Sequence, residues 1–295
     1  MRRLPMRYAI SNWIYPGEPL RETFARLARY GYDGVELVGE PDRVFPEEVR
    51  ALSQEYSLPV VSVLTWCIWG IPGRDMASPD EEERRAAGAY GRRCVDLAVA
   101  VGAPIVVVLP APAGRTAPIG NPRDEKAWKE AWDREWALAV ESLKDLAAYA
   151  QQKGITLALE PINRYETHLV TTTEQGLQML EAVGADNLKL HLDTFHMNIE
   201  EADVAAAIRR AGNLLVNMHI SDSNRMPPGR GHTDFRAILR ALQEIHYTGA
   251  LVLEPVPPGP DPLLAVTFSE NVLLRDAYAE EGIRYLRHLE QEIGA

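Results

Sequence analysis

A chain of 295 residues, 46% hydrophobic and 25% charged with 21 Gly and 21 Pro, is neither disordered nor fibrous in composition and can bury a full core in one domain. Its formal charge of −11 repels phosphate backbones and anionic lipid, which argues against nucleic acid or membrane partners and favours small neutral molecules. The two cysteines, Cys67 and Cys94, cannot build a framework of several disulfides, and neither lies in a Cys-x-x-Cys pair, so a reducing compartment is expected.

From the N-terminus, MRRLPMRYAISNW is interrupted by Pro5 and Arg7 before any apolar stretch long enough for a signal peptide. No run of about 18 apolar residues follows, and the expectation is a cytoplasmic protein. RYAIS from Arg7 reads as a first strand, but NWIYPGEP stands after it where an open dinucleotide-binding sheet would carry Gly-x-Gly-x-x-Gly. Residues 19 to 31, PLRETFARLARYG, have helical period and close on glycine. Short apolar runs then recur: GVELV from Gly34, PVVSVL from Pro59 and PIVVVL from Pro104. Two long connections follow strand ends, residues 67 to 83 and 110 to 133. They are expected to build pocket walls or lids, with Trp66, Trp69, Trp128 and Trp132 as apolar surfaces.

A second helical stretch, residues 135 to 154, leads into TLALEP from Thr156, LKLHLD from Leu188, LLVNMHIS from Leu214 and ALVLEP from Ala250. That makes eight candidate strands alternating with helices. The runs are nearly continuous in Val, Ile and Leu rather than alternating, as parallel strands covered on both faces require. The expected fold is therefore an α/β (β/α)8 TIM barrel, one catalytic domain over residues 1–295. The stretch after Pro255, PVPPGPDPLLAVTFSENVLLRD, is longer than barrel closure needs, and is expected to cap the site or join a subunit contact.

The last four strands each end in a side chain able to bind metal: LALE at Glu160, LHLD at Asp193, VNMH at His219 and LVLE at Glu254. Taken singly, a strand-end acid is commonly a helix N-cap or a salt-bridge partner. Four in succession at one barrel mouth are different, because buried carboxylates are costly unless paired or bound to a cation. A divalent cation makes all three carboxylates favourable as anions. Oxygen-rich ligation with one imidazole suits Mn²⁺, or else Mg²⁺ or Co²⁺, better than structural Zn²⁺.

The segments ALEPINRYETH (158–168), HLDTFHMNIEE (191–201), HISDSNRMPPGRGHTDF (219–235) and LVLEP (251–255) closely resemble the D-tagatose/D-psicose (D-allulose) 3-epimerase family of xylose-isomerase-like sugar isomerase barrels. The resemblance is dense from about residue 155 to 255 and weaker before. It implies that Glu160, Asp193, His219 and Glu254 bind the metal and that Glu160 and Glu254 also carry the proton of a free ketose. Further, it implies contacts of Glu166, His196 and Arg225 with the O1 to O3 end of the sugar, and a homodimer or homotetramer. Tyr8, Trp13, Glu36 and Cys67 fall at or near strand ends, where the family places pocket residues. Tyr8, Trp13 and Cys67 are the substrate-binding candidates among them.

Three rivals remain. A 1,2-aldose–ketose isomerase, or one acting on hydroxypyruvate or an inosose, would use the same metal and glutamate pair. An abasic-site endonuclease shares the Asp-Thr-x-His pattern of Asp193 to His196, but needs histidines on earlier strands, and His168 is the first of the seven. A non-catalytic sugar-binding barrel has no use for two glutamates flanking a substrate. The PPGRG run at residues 227 to 231 reads as a tight turn over the site, with phosphate binding as its alternative.

Overall fold

The Val-, Ile- and Leu-rich runs form eight parallel strands: β1 Arg7–Ser11, β2 Gly34–Gly39, β3 Val60–Thr65, β4 Ile105–Val108, β5 Thr156–Leu159, β6 Leu188–Asp193, β7 Leu215–Ile220 and β8 Ala250–Leu253. Each pairs with the next, and β8 returns to β1 to close the barrel. This is the expected TIM barrel. The computed structural model describes residues 6–259 and 261–294. Arg2, Arg3 and Pro5, on which the reading of the N-terminus partly rests, lie outside them, as does Pro260.

The covering helices are α1 Leu20–Tyr30, α2 Pro46–Tyr56, α3 Glu81–Val101, α4 Glu125–Gln152, α5 Thr173–Val183, α6 Thr194–Glu200, α7 Val204–Ala211 and α8 Phe235–Glu244, followed by short α9 Pro262–Ala265 and α10 Ser269–Val272 and by long α11 Arg275–Gly294. Caps are written in the sequence. Asp80 and Asp124 accept from backbone N–H groups of the first turns of α3 and α4, and Thr172 with Gln175 closes a reciprocal capping box on α5. Apolar faces of these helices bury Phe24, Leu143, Leu146, Ile208 and Leu286 against the strands. No helix among the described residues is long and apolar enough to cross a membrane.

Two boundaries are corrected. The connection after β4 ends at Asp124 rather than residue 133, because the Asp124 cap starts α4 there, and the connection after β3 ends at Asp80. Trp128 and Trp132 therefore sit on α4 and do not line the central cavity. Trp132 instead stacks on Trp136 and donates to the His168 carbonyl at 3.0 Å. The segment after Pro255 folds into α9 and α10, and its Asp261, Pro262 and Leu263 line the cavity.

Candidate active site

At the C-terminal end of the barrel the strand ends converge. Glu160 follows β5, Asp193 closes β6, His219 lies in β7 and Glu254 follows β8, and all four side chains are buried. His219 Nδ1 lies 3.4 Å from Glu160 Oε1 and 3.3 Å from Glu254 Oε2. Asp193 Oδ2 lies 3.5 Å from His196 Nε2 and 3.3 Å from Arg225 Nη1, and its other oxygen caps α6 at Phe195 N, 2.8 Å away. Asp193 is thus both N-cap and cluster member.

Electrostatics are set by burial. Burial pushes the Glu254 carboxyl up to about 8 against the pull of His219 and Arg225. Burial would lower His219, but Glu254, Glu36 and Glu160 together hold its imidazole well above the ordinary value. Burial would also raise Asp193, yet His196, Arg225 and His219 hold it below the usual carboxylate range. Protons are thus retained where three carboxylates crowd one imidazole away from water. A divalent cation at that place relieves the same excess of negative charge. Among the described residues, donors close enough to share one fall into three groups, Glu160 with His191 and His219, Glu36 with His219 and Glu254, and Glu160 with Asp193 and His196.

A cavity of about 430 Å³ opens over this cluster. Glu160, Glu166, His196, His219, Arg225 and Glu254 form its polar wall, while Trp66, Ile68, Trp69 and Leu109 stand among its apolar lining. Trp13 lines it too, and its indole Nε1 donates to Glu254 Oε1 at 2.5 Å. Glu166 does not pair with Arg164, which is held by Glu200 at 2.7 and 2.9 Å. Instead Glu166 Oε1 accepts from Asn163 Nδ2 at 2.9 Å and lies 3.9 Å from His196 Nδ1. Arg225 adopts φ of 62°, a strained backbone for a side chain with a Cβ. Its guanidinium lies over the Phe195 ring and 3.6 Å from Glu254 Oε2.

Cys67 lines the cavity; burial pushes its thiol up to about 11, so it serves as a small apolar wall. Tyr8 is a correction. Its hydroxyl donates to Glu290 Oε2 of α11 at 3.2 Å and its ring lies under Arg287, on the outer side of β1 and away from the cavity. Strand residues alternate between faces, and Tyr8 falls on the helix-facing one.

Two further residues join the cluster: Glu36, named at a strand end but not among the substrate-binding candidates, and His191, not singled out from the sequence. Glu36 on β2 is fully buried, with Oε1 2.8 Å from His219 Nε2. His191, two residues before Asp193 on the same face of β6, packs edge-on to His219 with ring centroids 4.0 Å apart. Its Nε2 lies 3.7 Å from Glu160 Oε1, and neither ring nitrogen makes a hydrogen bond. A charged side chain in the middle of GVELVG and a histidine inside LKLHLD were the available signals. Arg115, Asp75, Glu135 and His168 form a buried polar cluster that ties the loops after β3, β4 and β5 to α4.

The turn after β7 is built on Asp222. Its carboxylate accepts from the N–H groups of Ser223, Gly229 and Thr233 at 2.7, 2.8 and 3.1 Å. Gly231 is required there, since a Cβ would fall 2.2 Å from Asp222 Oδ1.

The family model for the xylose isomerase-like TIM barrel matches residues 24–289. D-psicose 3-epimerase of Agrobacterium fabrum is 44% identical over 121 residues, 41% of this chain and 42% of that protein. The chain thus spans 40% to 42% of the length of this and three further curated relatives it matches. A longer match is to L-ribulose 3-epimerase of Methylomonas sp., 33% identical over 246 residues, 82% of this chain and 80% of the other. Among solved structures, D-allulose 3-epimerase from Methylomonas sp. in complex with D-allulose superposes with a TM-score of 0.80 at 27% identity, over 98% of each chain.

Proposed function

Because the chain belongs to the xylose isomerase-like TIM barrel family, we propose that it is a divalent-metal-dependent ketose 3-epimerase acting on free ketoses of the D-tagatose, D-fructose, D-psicose or L-ribulose type. One observation carries the reading: two buried glutamates from β5 and β8 approach the same nitrogen of His219, at 3.4 and 3.3 Å, at the floor of a cavity of about 430 Å³. The match to the L-ribulose 3-epimerase of Methylomonas sp., over 82% of the chain, supports the same reading.

The C3 proton of a ketose is acidified by the neighbouring C2 carbonyl. Glu160 takes that proton from one face, leaving an enediolate, and Glu254 delivers one to the other face, which inverts C3 without a redox cofactor. Starting from the opposite epimer, the two exchange roles. A divalent cation held by Glu160, Asp193, His219 and Glu254, Mn²⁺ by preference, supplies positive charge against the developing oxyanion. Trp13 fixes the Glu254 carboxylate through its indole N–H. Glu166 and His196, linked through Asn163, bind hydroxyls at the O1 to O3 end. Arg225, a guanidinium buried in the polar wall, adds fixed charge that needs no reorganisation.

A free sugar is favoured over a phosphorylated one by the turn after β7. Its N–H groups of Ser223, Gly229 and Thr233 already serve the Asp222 carboxylate, an anion that repels phosphate. The 1,2-isomerase reading differs by one carbon, a shift of ~1.5 Å in sugar placement.

The deciding experiment is incubation of Mn²⁺-loaded protein with D-fructose, D-tagatose and L-ribulose in D₂O, followed by NMR. Deuterium at C3 with the C3 epimer appearing is expected. Aldose labelled at C1 or C2 would instead mean a 1,2-isomerase, and no exchange with any sugar would reject both.

Chelation is expected to inactivate the protein reversibly, with Mn²⁺ restoring turnover. In His219→Ala, Mn²⁺ affinity measured by calorimetry should fall by more than the roughly 100-fold that loss of an outer hydrogen-bond partner brings. Unchanged affinity would remove His219 from the ligand set.

A further inference from the structure

Beneath the ligand cluster the barrel interior is polar where a barrel core is normally aliphatic. Glu36 lies in the middle of β2 with no solvent exposure. Its Oε2 accepts from Ser62 Oγ on β3 at 2.6 Å and from Asn217 Nδ2 on β7 at 3.3 Å. That leaves Oε1 for His219 Nε2, 2.8 Å away. The β2–β3 ladder shifts register between Val35 and Glu36, the kind of irregularity that re-aims a side chain beside an active site. His191, edge-on to His219 at 74°, limits tilting of the ring but makes no hydrogen bond that would choose which nitrogen faces the cavity.

We infer that Glu36 is the positioning residue of the metal centre: by accepting the Nε2 proton of His219, it fixes the tautomer whose Nδ1 lone pair faces Glu160 and Glu254. An imidazole that donates its far N–H to a carboxylate is held in one orientation and is a more basic ligand. Ser62 and Asn217 hold that carboxylate in turn, so three strands set the direction of one lone pair. The inference rests on reading the cluster as a metal centre, and not on which carbon of the sugar reacts.

The test starts from the metal-free chain. Mn²⁺ is titrated into wild type, Glu36→Gln, Glu36→Asp and Ser62→Ala, with free ion followed by electron paramagnetic resonance. Long-range ¹H–¹⁵N spectra of the same four proteins loaded with diamagnetic Mg²⁺ report the His219 tautomer. Glu36→Gln preserves shape and the Ser62 contact, and is expected to bind Mn²⁺ about 10- to 100-fold more weakly with a mixed tautomer. Glu36→Asp, one methylene too short to reach Nε2, should lose affinity too, whereas Ser62→Ala, which keeps the His219 contact and the Asn217 bond to the carboxylate, should lose less than either Glu36 variant.

A merely structural Glu36 would lower thermal stability and leave affinity and tautomer untouched. Wild-type affinity with an unaltered tautomer in both Glu36 variants overturns the inference. Failure of the wild type to bind any divalent cation overturns it together with the metal reading. Failure to epimerise a ketose despite tight Mn²⁺ binding would strike only the proposed substrate.

Discussion

Glu254→Gln is expected to lower turnover by about 10²- to 10⁴-fold, the range associated with loss of a positioned acid–base group, while the protein stays folded. Glutamine keeps the size of the side chain and an oxygen that can accept from Trp13 Nε1, so the contact that now measures 2.5 Å has a substitute. What it cannot do is carry a proton to or from C3. Because Glu254 is also a proposed ligand, the assay is run at saturating Mn²⁺, which separates weakened binding from lost chemistry.

The two-glutamate scheme makes a finer prediction for the same variant. Glu160 still faces one side of the sugar, so the epimer whose C3 proton it takes should exchange with D₂O without becoming the other epimer. Exchange without inversion is the signature of one surviving carboxylate. Interconversion of both epimers at near wild-type rate would end the mechanism, and loss of the folded transition would mean that Glu254 is needed for the barrel itself.

The barrel was legible because each strand is a near-continuous Val, Ile and Leu run closed by Gly, Pro or a polar residue, and all eight such runs became strands. The cluster at the mouth was legible for a related reason. Glu160, Asp193, His219 and Glu254 each interrupt apolar sequence at a strand end, where solvation offers no explanation for a charge. Tyr8 shows the limit of this reasoning: period-2 alternation says that neighbours face opposite ways, but in a strand buried on both sides apolar character does not say which way is inward. Glu36 was hidden differently, because its partners Ser62, Asn217 and His219 come from β3 and β7, and no local pattern joins them. Trp132 was misplaced because the loop reading ran past the Asp124 cap into α4.

The buried cluster around Arg115 lies still further from any sequence pattern, and it yields the largest expected effect on stability. Arg115→Ala should destabilise the protein by about 3–5 kcal/mol, the cost of breaking a buried ion pair from one side, and lower the melting temperature by roughly 10 °C for a chain of this size. The Arg115 side chain is only 3% exposed, with Nη1 2.6 Å from Glu135 Oε2 and Nη2 3.1 Å from Asp75. Glu135 also meets His168 Nε2 at 2.8 Å and Ile119 N at 2.7 Å. Removing the guanidinium strands two carboxylates out of water. Neutralising them in the same background, with Asp75→Asn and Glu135→Gln, should recover much of the loss, since it is the uncompensated charge rather than the missing contact that costs most.

The cluster also holds the cavity wall. Ala113 N donates to Cys67 O at 2.9 Å, Trp69 N to Ala113 O at 2.9 Å, and Gly114 N to Glu166 O at 2.7 Å. The loops after β3, β4 and β5 are therefore laced together beside Arg115. Arg115→Ala should for that reason raise KM more than it lowers kcat, because Cys67, Trp69 and Glu166 shape the pocket while Glu160 and Glu254 stand on strand ends the cluster does not touch. A melting temperature within 2 °C of wild type would show that water reaches Asp75 and Glu135 once the guanidinium is gone, and would remove the cluster as a stabilising element.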